Sequence, residues 1–151
     1  MKYAAELLTP ALEAEIAPLH KAHWEELKGP TDDSFRMDYP RYYLLQESGV
    51  WRLYTARSDD GQLVGYVQII GGPSLHSLHS EAYGELYYVI PKYRTKGRTV
   101  LRLFQYVEKE LSLLGATKLR YSYPNYVSGS YANWFNLMGF SPLETIVEKD
   151  L

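Results

Sequence analysis

The chain has 151 residues, of which 46% are hydrophobic and 23% are charged, and this length and composition suit one globular domain with its own core. It contains no cysteine, which excludes a disulfide framework, a thiolate nucleophile and a thiolate metal site. The net charge of −2 argues against general nucleic-acid binding, because that function needs a basic surface that neutralises phosphates.

The distribution of apolar and basic residues narrows the possibilities further. No apolar run approaches the roughly 20 residues of a membrane span, and residues 1–18 lack the long uncharged core of a signal peptide. We therefore expect a cytoplasmic protein without membrane contact. Five of the 16 basic residues lie between Lys92 and Arg102, where no acidic residue occurs. This concentration predicts a local anion site, the alternative being a solvated helix start.

The N-terminal part is predicted to form a short strand over residues 3–8 and then a helix. Thr9 is suited to the N-cap of that helix and Pro10 to its first position. Pro18 removes a backbone donor inside the helical pattern, which predicts a kink or two abutting helices. The positions that follow with helical spacing are Leu12, Ile16, Leu19, His23 and Leu27.

A second short helix and three strands are predicted next. Asp38 can cap a helix that runs through Gln46 and ends at Gly49. Two strands, Val50 to Arg57 and Gln62 to Ile70, are joined by a tight hairpin signal. The hairpin residues are Asp59, Asp60 and Gly61. The third strand covers residues 84–90 and ends at Pro91.

The C-terminal part is predicted to continue as helix, strand, helix and strand. The long helix ends at Gly115 and is followed by a strand over residues 118–123. A short helix over residues 131–138 is capped by Gly139, and a last strand covers residues 143–149. The positions of the long helix that share one apolar face are Val100, Leu103, Phe104, Val107, Leu111 and Leu114.

The stretch YVIPKYRTKGRTVLRLF, residues 88–104, passes from a strand through a basic turn into an apolar helix. The first N–H groups of such a helix are unpaired and suited to a phosphate. Gly97 would let the backbone approach the ligand closely, while Arg94, Lys96 and Arg98 add positive charge. Neither GxxxxGK[ST] nor GxGxxG is present. These residues therefore predict an anion site whose ligand they do not identify.

The longer segment YYVIPKYRTKGRTVLRLFQYVEKELSLLG resembles the cofactor-binding motif of the GNAT superfamily, the acyl-CoA-dependent N-acyltransferases. The family pattern is [Q/R]xxGx[G/A], and Arg94, Gly97 and Thr99 occupy its three defined positions. The segment YANWFNLMGF, residues 131–140, is similar to the family's fourth helix with its closing Gly-Phe. With the element order, the resemblance spans nearly the whole chain.

The resemblance implies one α/β domain over residues 1–151. Its central sheet would be mixed and mostly antiparallel, flanked by helices, in the order β-α-α-β-β-β-α-β-α-β. A V-shaped opening between the strands at 84–90 and 118–123, splayed by a bulge, would hold the pantetheine of acetyl-CoA. The implied backbone ligands are Tyr88, Val89 and Ile90 for pantetheine, and Thr95, Lys96, Gly97, Arg98 and Thr99 for the pyrophosphate.

The implied activity is transfer of an acetyl group from acetyl-CoA to a primary amine of a small molecule, peptide or protein by direct attack in a ternary complex. A base must then accept the proton of the amine. Glu85 is the first candidate, since it precedes Val89 by four residues and shares its strand face by period-two alternation. Glu81 is the rival. For either carboxylate, the alternative is a solvent-facing strand position.

Two positions depart from the family pattern. Thr99 crowds the turn, although its hydroxyl could bind a phosphate. Phe135 occupies the place of the tyrosine that usually protonates the leaving thiolate. Tyr131 or Tyr126 could substitute, or solvent could supply the proton. These departures leave an alternative, a catalytically degenerate GNAT-fold module that binds CoA or serves as a structural or interaction protein.

The remaining candidates concern metals, the acceptor and self-association. The HxxH pairs at residues 20–23 and 76–79 do not match HExxH, so no metal is expected. Three tyrosines either line the acceptor cleft or form an aromatic packing face; they are Tyr39, Tyr42 and Tyr43. The expected partner is an amine acceptor, without nucleic acid, and pairing of exposed strands would give a homodimer.

Overall fold

A five-stranded sheet forms the centre of the larger of two compact units, residues 1–121. The computed structural model describes residues 1–28, 35–77, 79–94, 98–123, 128–147 and 149. Neighbouring strands are antiparallel except the last pair, which is parallel. The predicted mixed, mostly antiparallel sheet is therefore confirmed. In sheet order, the strands are β1 (Lys2–Glu6), β2 (Trp51–Arg57), β3 (Leu63–Pro73), β4 (Ser80–Val89) and β5 (Ala116–Tyr121).

Helices of this unit begin where capping residues occur in the sequence. The Thr9 hydroxyl accepts the N–H of Leu12 at 3.2 Å, and the Asp38 carboxylate accepts the N–H of Arg41 at 3.2 Å. Each cap satisfies a donor that the first helical turn leaves unpaired. The helices are α1 (Pro10–Lys28), α2 (Tyr39–Glu47) and α3 (Arg98–Leu113), and a 3₁₀ turn covers Pro91–Tyr93.

Helix α1 continues through Pro18 as one element. Of the two expectations for this proline, the pair of abutting helices is therefore wrong. Proline removes one backbone hydrogen bond, but burial of the apolar face on both sides holds the helix together. Ile16 is fully buried and Leu19 is almost so.

Helices cover both faces of the sheet. Tyr54 of β2 and Tyr87 of β4 contact aromatic residues of α3, whereas their strand neighbours Leu53 and Tyr88 belong to a core cluster with α1. Because successive strand residues point to opposite faces, α3 lies opposite α1 and α2. The buried residues of α3 are Thr99, Leu103, Phe104, Val107 and Leu111.

The second unit, residues 122–151, contains α4 (Ser128–Leu137). Gly139 follows this helix with φ +87°, the left-handed conformation that glycine adopts readily. The N–H of Phe140 donates to the Phe135 carbonyl at 3.0 Å and closes the helix end. The predicted short helix and its glycine cap are thus confirmed.

The predicted last strand at residues 143–149 is wrong for the part that the structure describes. Residues 141–147 and 149 have no regular secondary structure, and Ile146 and Val147 are 66% and 89% exposed. Their β-branched side chains favour a strand, but a strand also needs a paired neighbour. No strand of the described residues pairs with this segment.

Candidate active site

A β-bulge at Glu85 interrupts the pairing of β4 with β3. Gln68 pairs with Leu86, and the next residue of β3, Ile69, pairs with Gly84. Glu85 is therefore the extra residue of β4. A bulge bends its strand and increases the local twist, which changes the direction of β4 at this point.

Beyond the bulge, β4 separates from β5. The two strands pair in parallel from Ser80 to Gly84, whose partner is Tyr121, the last residue of β5. A Cβ at position 84 would overlap the Tyr121 ring, so only glycine lets the ring cross the strand there. Residues 86–89 pair with β3 alone among the described strands. The expected opening between the two strands therefore begins after Gly84.

The backbone of Val89 faces this opening. The N–H of Ile90 donates to the Val64 carbonyl, and its own carbonyl accepts the N–H of Tyr93, each at 2.9 Å. Because hydrogen bonding alternates along an antiparallel pair, Tyr88 also directs its backbone toward β3 and Val89 directs its own away. Of the three residues predicted to bind pantetheine through their backbone, Val89 alone is oriented for it.

Glu85 has a carboxylate without a full set of partners. Its Oε2 atom is buried and accepts no hydrogen bond from the described residues. Burial raises the pKa of this carboxyl, and the positive charge of Arg41 opposes the rise in part. The negative charge of Glu85 contributes in turn to the raised pKa values of Tyr42 and Tyr66, after burial, which is the larger cause for both. These groups therefore lie near one another.

Because of the bulge, Glu85 lies on a different face of the sheet from the one that period-two alternation predicted. The charge of Glu85 acts on Tyr42 of α2 and on Tyr66, which contacts His23 of α1, so the carboxylate lies on the α1 and α2 side of the sheet. Val89 lies on the α3 side, because its neighbour Tyr88 points toward α1. The expectation that Glu85 and Val89 share a face is wrong, since one extra residue shifts the alternation.

Glu81, the rival candidate, is already paired with cations. One oxygen lies 2.9 Å from the Arg120 guanidinium and the other 3.7 Å from the Lys118 ammonium. An ion-paired carboxylate is a poorer proton acceptor than one whose oxygen is unpaired. The geometry therefore favours Glu85 as the base, and this role stays a prediction.

Arg94, the first residue of the predicted cofactor motif, is held within the protein. Its guanidinium forms two hydrogen bonds to the Glu26 carboxylate, at 2.8 and 2.7 Å, and its Nε donates to the Val89 carbonyl at 2.5 Å. The group also lies over the Tyr88 ring, 5.0 Å from its centroid. Glu26 therefore offsets the charge that was expected to act on a pyrophosphate.

The start of α3 carries the other described part of the motif. Arg98 is the first residue of the helix; it is exposed and forms no ion pair with the described residues. Thr99 is 8% exposed, so its side chain packs rather than crowding an open turn. The predicted ligands Thr95, Lys96 and Gly97 lie outside the described residues.

The histidines of α1 form a buried hydrogen-bonded network. The Gln68 amide lies 2.7 Å from His20 Nε2, and the Tyr39 hydroxyl lies 2.9 Å from His20 Nδ1. The Tyr66 hydroxyl lies 2.8 Å from His23 Nδ1. Burial lowers the pKa of both histidines to about 4, so both are neutral at pH 7. Both ring nitrogens of His20 and Nδ1 of His23 lie within hydrogen-bond distance of protein groups, which fits packing better than metal ligation.

Metal ligands are not assembled elsewhere in the described ranges. His76 and His79 are exposed in the β3–β4 turn, and no group of three or more His, Cys, Asp or Glu side chains there is placed to hold a metal ion. Within the same ranges, no helix is both long and apolar enough to cross a membrane.

The tyrosines of α2 divide between packing and the site. Tyr43 donates a hydrogen bond to Glu13 of α1 at 2.8 Å, and Tyr39 belongs to the His20 network. Tyr42 packs on Trp51 with ring centroids 5.0 Å apart, yet it also lies near Glu85. Tyr42 is therefore the one of the three that contributes to the surroundings of Glu85.

The candidates for the thiolate donor belong to the second unit. Phe135 is 4% exposed and stacks on Tyr123 with centroids 5.7 Å apart, so it is a core residue of that unit. Tyr131 lies on the same helix, with its ring 6.0 Å from that of Tyr123, and is partly exposed. Tyr126 lies outside the described residues.

Sequence reasoning missed three residues of the site. The charge of Arg41 acts on Glu85 and that of Glu85 acts on Tyr66, and Glu26 pairs with Arg94. Their separations in the chain are long, and none lies in a motif. The strand alternation of Tyr66 and Gln68 was the available signal, since two polar groups on one buried face require partners.

Comparison with solved structures shows which proteins share this fold. No protein-family model matches the chain, and no curated protein matches it. A ribosomal-protein-alanine N-acetyltransferase from Brucella melitensis biovar Abortus 2308 superposes with a TM-score of 0.71 at 19% identity, covering 99% of this chain and 100% of that one.

Two aminoglycoside acetyltransferases from uncultured soil metagenomic samples are also similar. One has a TM-score of 0.73 at 18% identity, covering 100% of this chain and 98% of that one. The other, solved with sisomicin, has a TM-score of 0.71 at 13% identity, covering 99% and 95%. The resemblance read from the sequence is confirmed at the level of fold: the chain has the fold of the GNAT acetyltransferases.

Proposed function

We propose that this protein is an acetyl-CoA-dependent N-acetyltransferase that acts on a primary amine. The proposal depends mainly on the environment of Glu85. This residue is a carboxylate with a raised pKa and an unpartnered buried oxygen, placed by a bulge where β4 leaves β5. A buried acceptor without a donor is unusual in a folded protein, and an incoming ammonium or amine would supply the donor.

The described residues fit the cofactor at two points. Val89 directs its N–H into the opening, where it would bind a pantetheine amide. Arg98 at the start of α3 is a cation without an ion-pair partner among the described residues, and it would bind the pyrophosphate together with the first N–H groups of the helix. In this proposal both compact units belong to one acyltransferase domain.

When bound, acetyl-CoA supplies an acetyl group as a thioester that an amine can attack. Glu85 accepts the proton that the amine nitrogen loses as the new C–N bond forms and the C–S bond breaks. The raised pKa makes Glu85 a stronger proton acceptor than an ordinary carboxylate. Tyr131 is proposed to return a proton to the thiolate, and solvent can replace it because a thiolate is weakly basic.

Calorimetric titration of the purified protein with acetyl-CoA tests the cofactor assignment. We expect acetyl-CoA to bind about tenfold more weakly to Arg98→Ala, because the pyrophosphate would lose the cation that pairs with it. Arg52→Ala is the matched control, since Arg52 is another exposed arginine and lies on β2. Acetylation of amines with labelled acetyl-CoA then tests transfer.

Failure of the two experiments would have different meanings. Absence of binding at millimolar acetyl-CoA would contradict the proposal and favour the alternative, a degenerate module that contacts a partner. Binding without transfer to any amine would favour a CoA-binding module without catalysis.

A further inference from the structure

His23 of α1 and Arg94 contact the same aromatic ring, that of Tyr88 on β4. The imidazole of His23 stacks on this ring, with centroids 5.1 Å and planes 23° apart, and the Arg94 guanidinium lies over the ring, 5.0 Å from its centroid. A titratable group of α1 therefore lies close to the first residue of the predicted cofactor motif.

Glu26 is a second charged residue beside His23. It follows His23 by three residues on α1, so the two side chains are neighbours on the helix surface. Its carboxylate is also bonded to the Arg94 guanidinium, at 2.8 and 2.7 Å. This ion pair therefore places one negative and one positive group beside the imidazole.

His23 is neutral while the ion pair is closed. Burial is the main reason why its pKa is lowered to about 4; the Glu26 carboxylate opposes this fall and the Arg94 guanidinium adds to it. Because the two charges act in opposite senses, each offsets much of the effect of the other. Removal of the guanidinium charge alone would leave a carboxylate that favours the protonated imidazole.

The other titratable groups that face His23 are uncharged between pH 6 and pH 8. Burial raises the pKa values of the Tyr66 and Tyr88 hydroxyls and lowers that of His20, one turn earlier on α1, to about 4. The Tyr66 oxygen lies 2.8 Å from Nδ1 of His23 and can accept an N–H from it. Nε2 forms no hydrogen bond with a described residue, and the side chain is partly exposed, so a proton can reach the ring from solvent.

We propose that binding of acetyl-CoA moves the Arg94 guanidinium from Glu26 to the pyrophosphate, and that His23 then takes up a proton and pairs with the released Glu26 carboxylate. The inference rests on the proposed function, in which the pyrophosphate lies at the turn that contains Arg94. The proton comes from solvent, forms an N–H bond on the imidazole and returns to solvent when the cofactor leaves. His23 thus makes cofactor affinity depend on pH.

The direction of this dependence follows from the difference in bound protons. Above pH 4 the complex holds more protons than the free protein, so acetyl-CoA should bind more tightly as the pH falls from 8 to 6. Release of Glu26 should return the imidazole toward its ordinary pKa of 6.5. We therefore expect uptake of about half a proton at pH 6 and almost none at pH 8.

Calorimetric titration with acetyl-CoA, in buffers of equal pH and different ionisation enthalpy, counts these protons. The phosphates of the cofactor also titrate, so the result is the difference between wild type and each variant. His23→Gln should lose the uptake at pH 6, and Glu26→Gln should bind acetyl-CoA without it. Glu25→Gln is the matched control and should keep it, since Glu25 faces Lys21.

The outcomes separate this inference from the proposed function. Binding with equal proton counts in wild type and Glu26→Gln would overturn the link between the ion pair and the proton, and would leave acetyl-CoA binding standing. Glu26 is an exposed residue, so this comparison does not depend on a variant of the buried network. Unchanged ¹⁵N shifts of the His23 ring on saturation with acetyl-CoA at pH 6 would also overturn the inference. Absence of acetyl-CoA binding would overturn both proposals.

Discussion

Arg94 and Glu26 form a two-point ion pair, with nitrogen–oxygen distances of 2.8 and 2.7 Å. The pair connects Arg94, the first residue of the predicted cofactor motif, to the last turn of α1. Both side chains are about one-third exposed, at 34% and 39%, so the pair is partly screened by water. A bound pyrophosphate would compete with Glu26 for the same guanidinium.

Replacement of Glu26 by glutamine should therefore strengthen CoA binding. The expected gain is about three- to tenfold in Kd, because a carboxylate that competes for Arg94 is removed. Pantetheine, which lacks the pyrophosphate, should bind unchanged, and titration calorimetry with both ligands checks this. Glu25→Gln is the control, since Glu25 is the neighbouring carboxylate and faces Lys21 at 3.9 Å. Weaker CoA binding in Glu26→Gln would mean that the pair positions Arg94.

Glu85→Gln should lower kcat by about a hundredfold or more while acetyl-CoA affinity stays within twofold, because the amide has nearly the same shape but accepts no proton. The measurement is steady-state kinetics with calorimetry of the cofactor. Glu81→Gln is the control and should change kcat little, since Glu81 is paired with Arg120. Equal turnover in wild type and Glu85→Gln would remove Glu85 from the mechanism.

The ionisation of Glu85 should also determine how the reaction rate depends on pH. Transfer needs Glu85 ionised, and burial raises its pKa above the ordinary value. The rate should therefore fall on the acidic side at a pH higher than an exposed glutamate would give. In Glu85→Gln this limb should disappear from the kcat profile, and its persistence would assign the limb to another group.

His20 should make the fold sensitive to acid. Burial lowers its folded pKa from 6.5 to about 4, so between these values the unfolded chain binds more protons than the folded one. Stability then falls as the pH drops through this window, by about 2 kcal/mol between pH 7 and pH 4.5. Urea unfolding at the two pH values measures the loss, which should be smaller in His20→Gln.

The control for His20 is the exposed histidine His79. Carboxylates also titrate in this range, so the comparison between variants isolates the histidine. His79→Gln should show the same pH dependence as wild type. An unchanged dependence in His20→Gln would show that another group causes the acid sensitivity.

Gly84→Ala should destabilise the sheet by about 1–3 kcal/mol, because the added Cβ would overlap the Tyr121 ring and one of them must move. Thermal or urea unfolding measures the change. Gly72→Ala is the control, since a Cβ there meets nothing within 4 Å. In a Tyr121→Val background, which has a smaller side chain at the point of overlap, Gly84→Ala should cost much less stability than it does in the wild-type chain. An equal cost in the two backgrounds would locate the strain elsewhere.

Local signals predicted most of the fold. Thr9 and Asp38 start helices that the structure confirms, and Gly115 follows α3 with φ +85°. These features depend on a few adjacent residues, so the sequence contains them directly. Strand β4 begins at Ser80, four residues before the prediction, because pairing with β3 and β5 extends it beyond its apolar run.

Features that depend on distant residues were harder to predict. The ion pair of Glu26 with Arg94 joins positions 68 residues apart, and charge along the chain does not identify partners. A bulge was expected from the family resemblance, but the face of Glu85 depends on where that bulge lies, and this position arises from how β3 and β4 pair. The last strand had suitable side chains, such as Ile146 and Val147, but no neighbour among the described strands.

The bulge at Glu85 also affects how this chain should be aligned with distant proteins of the same fold. The side chains of β4 alternate between the two faces of the sheet, and one extra residue shifts this alternation between the part before the bulge and the part after it. An alignment that does not allow for this extra residue would match Glu85 to a residue on the opposite face of a relative's sheet. Superposition anchored on Gly84 and Leu86 avoids that error, and at identities below 20% it decides which carboxylates are compared.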